Sequence, residues 1–191
     1  MKPREKRSFV FGALFALVLL ATGCGASLMH DTTPLPPPTP DYAIVNFVRP
    51  SAYAWAVDYP LWDGETFIGN IGPEDLLQWK AKPGDHLFIA VGENHDYTKA
   101  TIEGGRSYYI QVKAYPGFWS ASVGFAPVHK NDSSPSSAEI QKWMTKLGPE
   151  SADPVVAAER QASGLKDIQK HIQEYNAGQH KGQFLAVDDW R

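Results

Sequence analysis

A chain of 191 residues, with 18 Lys and Arg against 21 Asp and Glu and a net charge of −3, is long enough to enclose one sizeable hydrophobic core. Its mildly acidic balance argues against a nucleic-acid binder and against electrostatic attraction to anionic lipid. A single cysteine excludes an internal disulfide, so a load of six Trp, eight Tyr and nine Phe must stabilise the fold by packing alone.

Lys2, Arg4, Lys6 and Arg7 precede the apolar run Phe9 to Ala21, a charged start and a hydrophobic stretch too short for an ordinary membrane span. Small residues then lead through Gly23 into Cys24. This layout resembles the lipobox of bacterial lipoproteins, in which the cysteine is acylated and becomes the first residue, although Ala21 stands where Leu is commoner. The resemblance implies a signal peptide over 1–23, a lipid anchor on Cys24 of the palmitate class, and a place in the cell envelope. Each buried CH₂ of such an anchor contributes about 0.8 kcal/mol, so two or more chains hold a protein on the bilayer. Gly25 in place of Asp resembles the pattern forwarded to the outer membrane, facing the periplasm, in a Gram-negative source. Removing 1–23 takes four basic residues and one acidic residue, which moves the net charge from −3 to −6.

Residues 24–41 are rich in Ser, Thr and Pro, and Pro34, Pro36, Pro37, Pro38 and Pro40 favour an extended polyproline path. At about 3.1 Å per residue it reads as a spacer holding the domain on the order of 20 Å from the membrane.

The folded domain is expected over 42–128. Tyr42 to Val48 is rich in β-branched and aromatic residues, and Ala56 to Trp62 with Glu65 to Ile71 flank Asp63-Gly64, a hairpin signal. Leu76, Leu77 and Trp79 offer a short strand, Pro83-Gly84 a turn, and His86 to Val91 another strand. Asp96 to Ile102, Ser107 to Ala114 and Gly117 to Phe125 complete the series. Seven or eight short strands with turn signals every 8 to 12 residues predict a mainly β fold, an antiparallel β-sandwich of the Ig-like or prealbumin-like kind.

The order of Ile44 to Ser51 (IVNFVRPS), the Asp63-Gly64 hairpin with Ile68-Gly69, the turn Pro83-Gly84-Asp85-His86, and Gly104 to Ile110 (GGRSYYI) resembles a family of bacterial lipoproteins built on a small β domain of unknown function. The resemblance spans residues 42 to 127 and implies a tethered β-sandwich with no assigned reaction and no catalytic residues to carry over.

A helical extension is expected over 129–191. Ser136 and Glu139 form a capping box ahead of Ile140, Trp143, Met144 and Leu147, and Gly148-Pro149 ends that helix. A second helix is capped by Asp153, opens on Pro154 and runs to Asn176. Its stripe Leu165, Ile168, Ile172 and Tyr175 either rests on the sandwich or receives a partner helix, and Gly164 marks a bend or a close approach. Phe184 to Val187, with Trp190, is an edge strand or a short peptide for another protein.

Chemistry is sparse. Neither a nucleophile elbow, a zinc spacing nor a phosphate loop is present, and His30, His86, His95, His129, His171 and His180 show no His-x-x-x-His or Glu-x-x-His spacing, so no metal, cofactor or enzymatic activity is expected. Asp63, Glu93, His95 and Asp96 offer at most a small polar rim, equally explained as turn chemistry. The other candidates are aromatic: Tyr53, Trp55, Tyr59 and Trp62 after Pro50, and Tyr115, Phe118 and Trp119 around Pro116-Gly117. Placed together at one end of a sandwich they would form a ligand rim, and otherwise they fill the core. The sequence therefore points to a non-enzymatic envelope lipoprotein that serves as an interaction or assembly module, with an envelope protein as partner, or to a glycan- or peptide-binding module using the rim.

Overall fold

β-Branched and aromatic runs punctuated by Gly, Pro and Asp fold into strands where alternation predicts them. The computed structural model describes residues 28–191, so the expected signal segment and the expected lipidation of Cys24 lie outside the described residues. In chain order the elements are β1 (Met29–Asp31), β2 (Ala43–Arg49), β3 (Tyr59–Asp63), β4 (Thr66–Ile71), β5 (Asp75–Ala81), β6 (Gly84–Val91), β7 (His95–Ile102), β8 (Ser107–Pro116) and β9 (Ala121–Pro127). Then follow α1 (Ser137–Lys146), β10 (Pro149–Ala152), α2 (Pro154–Asn176) and β11 (Gln183–Leu185).

The strands form two sheets, ordered β1-β10-β5-β2-β8-β9 and β11-β7-β6-β3-β4. Both are mixed, which corrects the expected antiparallel, Ig-like arrangement: β2 pairs parallel with β8, β10 with β5, and β11 with β7. The reason is topological. Chain turns enforce antiparallel neighbours, but β8 is entered from β7 in the opposite sheet, and that crossover frees its direction. Eleven strands are present among the described residues in place of seven or eight; β1, β10 and β11 hold three or four residues each, too few for alternation to register. The β3–β4 turn is centred on Gly64-Glu65, one residue beyond the expected pair, with Asp63 opposite Thr66 and Gly64 at φ 55°.

Between the sheets lies the main core, which includes Val45, Phe47, Tyr59, Leu61, Phe88, Ile110, Val112, Val123 and Phe125. Phe47 meets Phe88 edge to face at 5.3 Å. Every residue of β2 is buried, because the outer face of its sheet is also covered. Tyr109 of β8 shares a hollow there with Ile140 and Met144 of α1. On the other sheet, Trp62, Phe67, Ile89 and Tyr97 pack against Leu165, Ile168, Ile172 and Tyr175 of α2. The result is four layers, helix on sheet on sheet on helix. Both helix starts are as the sequence predicts, with the Ser136–Glu139 capping box complete and Asp153 accepting the amides of Val155 and Val156.

Two expectations about the ends of the chain are corrected. From Leu28 onward the Pro-rich segment is not a free spacer: β1 pairs with β10, the Leu35 amide donates to Gln78 Oε1 at 2.8 Å, and the Tyr42 hydroxyl donates to the Pro37 carbonyl at 2.9 Å. A polyproline path leaves its own backbone groups unpaired, so neighbouring side chains take them up. Residues 129–191 are not a helical appendage either, since β10 lies inside one sheet and β11 edges the other. The tail is an edge strand, locked by Asp189, which accepts from the Lys130 and Ala186 amides at 2.9 and 2.8 Å. No helix among the described residues is long and apolar enough to cross a membrane.

Candidate functional site

Arg49 ends β2 with its side chain fully buried. Nη2 donates to the carbonyls of Tyr53 and Ala54 at 2.9 and 3.0 Å, and Nη1 to those of Val57 and Ile71 at 2.5 and 3.3 Å. The guanidinium lies 4.8 Å from the centre of the Tyr59 ring. Burial pulls its pKa below the usual arginine value, opposed by Tyr59, Asp58 and Asp75. The arginine of the Arg-Pro-Ser sequence is thus an internal frame for the 50–58 loop. Ala54, at φ 56°, occupies a conformation that costs an L-residue energy, and Arg49 and the packing around the loop hold it there.

A second loop meets the first at the same end. Val48 of β2 lies opposite Gln111, and β8 continues past it to Pro116, so residues 117–120 crown the end at which β2 stops. Glu93, in the β6–β7 turn, accepts the amides of Phe118, Trp119 and Ser120 at 2.8, 3.0 and 2.8 Å. Those bonds, the Ser120 amide foremost, lower its pKa. Tyr59 donates through Oη to the Ser122 carbonyl at 3.2 Å and so joins the two sides. On this frame Trp55, Phe118 and Trp119 are 80, 82 and 88% exposed, with Tyr53 and Tyr115 half exposed beside them. Phe118 and Trp119 stack edge to face at 4.8 Å.

The end is acidic as well as aromatic. Asp58 lies in the first loop, and Asp75 opposes Arg49 across the β2–β5 ladder. Burial, with mutual repulsion among Asp31, Asp58, Asp75 and Glu150, raises the pKa of Asp75 and of Glu150.

Of the expected rim residues, Tyr53, Trp55, Phe118 and Trp119 are brought to one end and Trp62 is not. Trp62 is 5% exposed and packs edge to face on Phe67 at 5.2 Å, beneath α2. Alternation along β3 sends Leu61 into the core and Trp62 to the outer face, and α2 covers that face. Tyr59 is core. The stripe Leu165, Ile168, Ile172 and Tyr175 is occupied by the chain's own sheet, so it is not open to a partner helix.

The polar rim expected of Asp63, Glu93, His95 and Asp96 is dispersed. Asp96 accepts the Phe125 amide at 2.6 Å. Asp63 accepts from the Trp79 indole at 2.9 Å and lies 2.8 Å from His86 Nδ1, whose ring reaches the Lys82 carbonyl through Nε2 at 2.7 Å. The Asp-Gly hairpin and the Pro-Gly-x-His turn therefore meet in space, in a structural role. His95 faces α2 instead, and its ring centre is 3.6 Å from that of His171. One donor atom from each of His95, Asp167 and His171 lies within 4.8 Å of the other two. Sequence reasoning missed this group. Asp167 and His171 are spaced i,i+4 on one helix face, a signal visible in the sequence, but their third member comes from a strand 72 residues earlier.

No family model, no curated protein and no solved structure matches the chain.

Proposed function

We propose that this protein is a non-enzymatic cell-envelope lipoprotein, tethered to the membrane through Cys24, that binds its ligand on the aromatic end of the sandwich. The observation that carries the reading is the exposure of Trp55, Phe118 and Trp119 on loops fastened by Arg49 and Glu93. Exposed apolar rings clustered on a held frame mark an interaction surface. The surrounding carboxylates disfavour anionic lipid and suit a hydroxyl-rich ligand, since flat rings cover the CH faces of sugars while Asp and Glu accept hydroxyl hydrogen bonds. An envelope glycan is accordingly the ligand class proposed.

The test is a tryptophan-fluorescence titration of the full-length protein in detergent with soluble cell-wall glycan fragments, using W55A and W119A as variants. Saturable quenching that weakens about 2- to 10-fold per ring removed is expected, as for about 0.5–1.5 kcal/mol of stacking. No change with any fragment, together with a crosslink from position 118 to an envelope protein, would replace the glycan reading with a protein-assembly module on the same surface.

A further inference from the structure

We propose that His95 of β7 and Asp167 and His171 of α2 form a binding site for a divalent transition-metal ion of the zinc class. The donor set, two imidazoles and a carboxylate, is the chemistry such ions select.

The site is built from four observations. Donor atoms of the three residues converge within 4.8 Å. Zinc draws ligands to about 2.0–2.2 Å, which needs donors about 3–3.5 Å apart. Asp167, whose side chain is 74% exposed, is the most mobile of the three donors, and the imidazoles must also shift to reach that spacing. His171 is oriented from behind: Nδ1 is 3.1 Å from Glu174 Oε2, the carboxylate–histidine arrangement that fixes the tautomer of a metal ligand, and Nε2 is left facing Asp167 Oδ2 at 3.6 Å. Finally, His95 Nε2 is buried with no hydrogen-bond partner, a costly state for a polar atom.

A proton is the competing occupant, and the geometry separates the two. The contacts of His171 with Asp167 and Glu174 leave His95 Nε2 without a partner. A metal ion serves all three donors at once. The charged and titratable groups around the site are Asp167 and Glu174, His180 and Lys170 beside Glu174, and Arg160 on the adjoining groove. Asp167 and His171 also line a groove of about 250 Å³ with Trp62, Arg160, Ser163 and Gly164, so a fourth coordination position opens to water or an exchangeable ligand. The site stands two residues along the chain from Glu93, on the outer face of the five-stranded sheet, and owes nothing to the aromatic reading.

The experiment is calorimetry of Zn²⁺ binding to the full-length protein, stripped with chelator and held in detergent, with Co²⁺ absorption as the spectroscopic reporter. One Zn²⁺ per chain is expected, with visible Co²⁺ bands of a low-coordinate N/O site. H171N should abolish stoichiometric uptake, and E174Q should weaken it about 10- to 100-fold. D167N, at an exposed position, should weaken it about 10-fold or more with circular dichroism unchanged, which keeps the test valid should a histidine variant misfold. Absence of uptake, or uptake unaltered in both D167N and H171N, would overturn the site.

Discussion

His86 shows how a motif residue acquires its role from what surrounds it. Both ring nitrogens face acceptors, Asp63 on one side and the Lys82 carbonyl on the other, which suits the protonated ring. Burial opposes that charge, but the hydrogen bond and charge of Asp63 outweigh it, and the pKa of His86 is raised above the ordinary histidine value of 6.5. A raised folded-state pKa gives stability that is fully present below pH 6.5 and disappears as pH rises through the folded value. Lowered to about 4, His95 contributes with the opposite sign, so the informative quantity is the difference between variants. The urea midpoint of the parent chain should exceed that of H86N by more at pH 6 than at pH 8.5. A pH-independent difference would mean that the Asp63 contact does not depend on charge.

At the scale of the element, α2 is the clearest case of a helix legible in the sequence whose docking was not. Its cap, its opening proline and its apolar stripe are local, so they can be read directly. Which surface the stripe covers depends on Trp62 and Phe67, about a hundred positions earlier. Gly164 records that docking. A Cβ there would lie 2.8 Å from Trp62 Cζ2, a close approach that only glycine permits. Alanine would gain about 1 kcal/mol of helix propensity but lose about 1–3 kcal/mol to overpacking against a buried ring. G164A should therefore destabilise the protein by roughly 0–2 kcal/mol in chemical denaturation; a stabilised variant would show that the indole yields freely.

For the whole molecule, the ends of the chain complete the sheets that the middle begins. β10 and β1 extend one sheet beyond β5, and β11 pairs along the outer edge of β7 with Leu185 fully buried. Without them, and without the two helices, the outer faces carrying Trp62, Phe67 and Tyr97 would be bare and two sheet edges would be open to other chains. A chain ending at Val128 should thus lose the single cooperative thermal transition of the full-length protein and associate, as followed by circular dichroism and light scattering. Cooperative unfolding of that fragment would establish 42–128 as an independent domain.

Local physical chemistry determined the longer strands, the two helices and both helix caps, because each depends on neighbours within a few residues: Ser136 and Glu139 three apart, Pro154 beside Asp153. Half of the aromatic end was legible in the same way, since Trp55, Phe118 and Trp119 flank turn residues, where chains meet solvent. Tertiary structure alone decided that these loops share one end, that Trp62 does not join them, and that His95 meets Asp167 and His171. Each of those outcomes follows from pairings between distant segments, β8 with β2 and α2 on the five-stranded sheet, whose partner and direction leave no trace in a two-residue or 3.6-residue period.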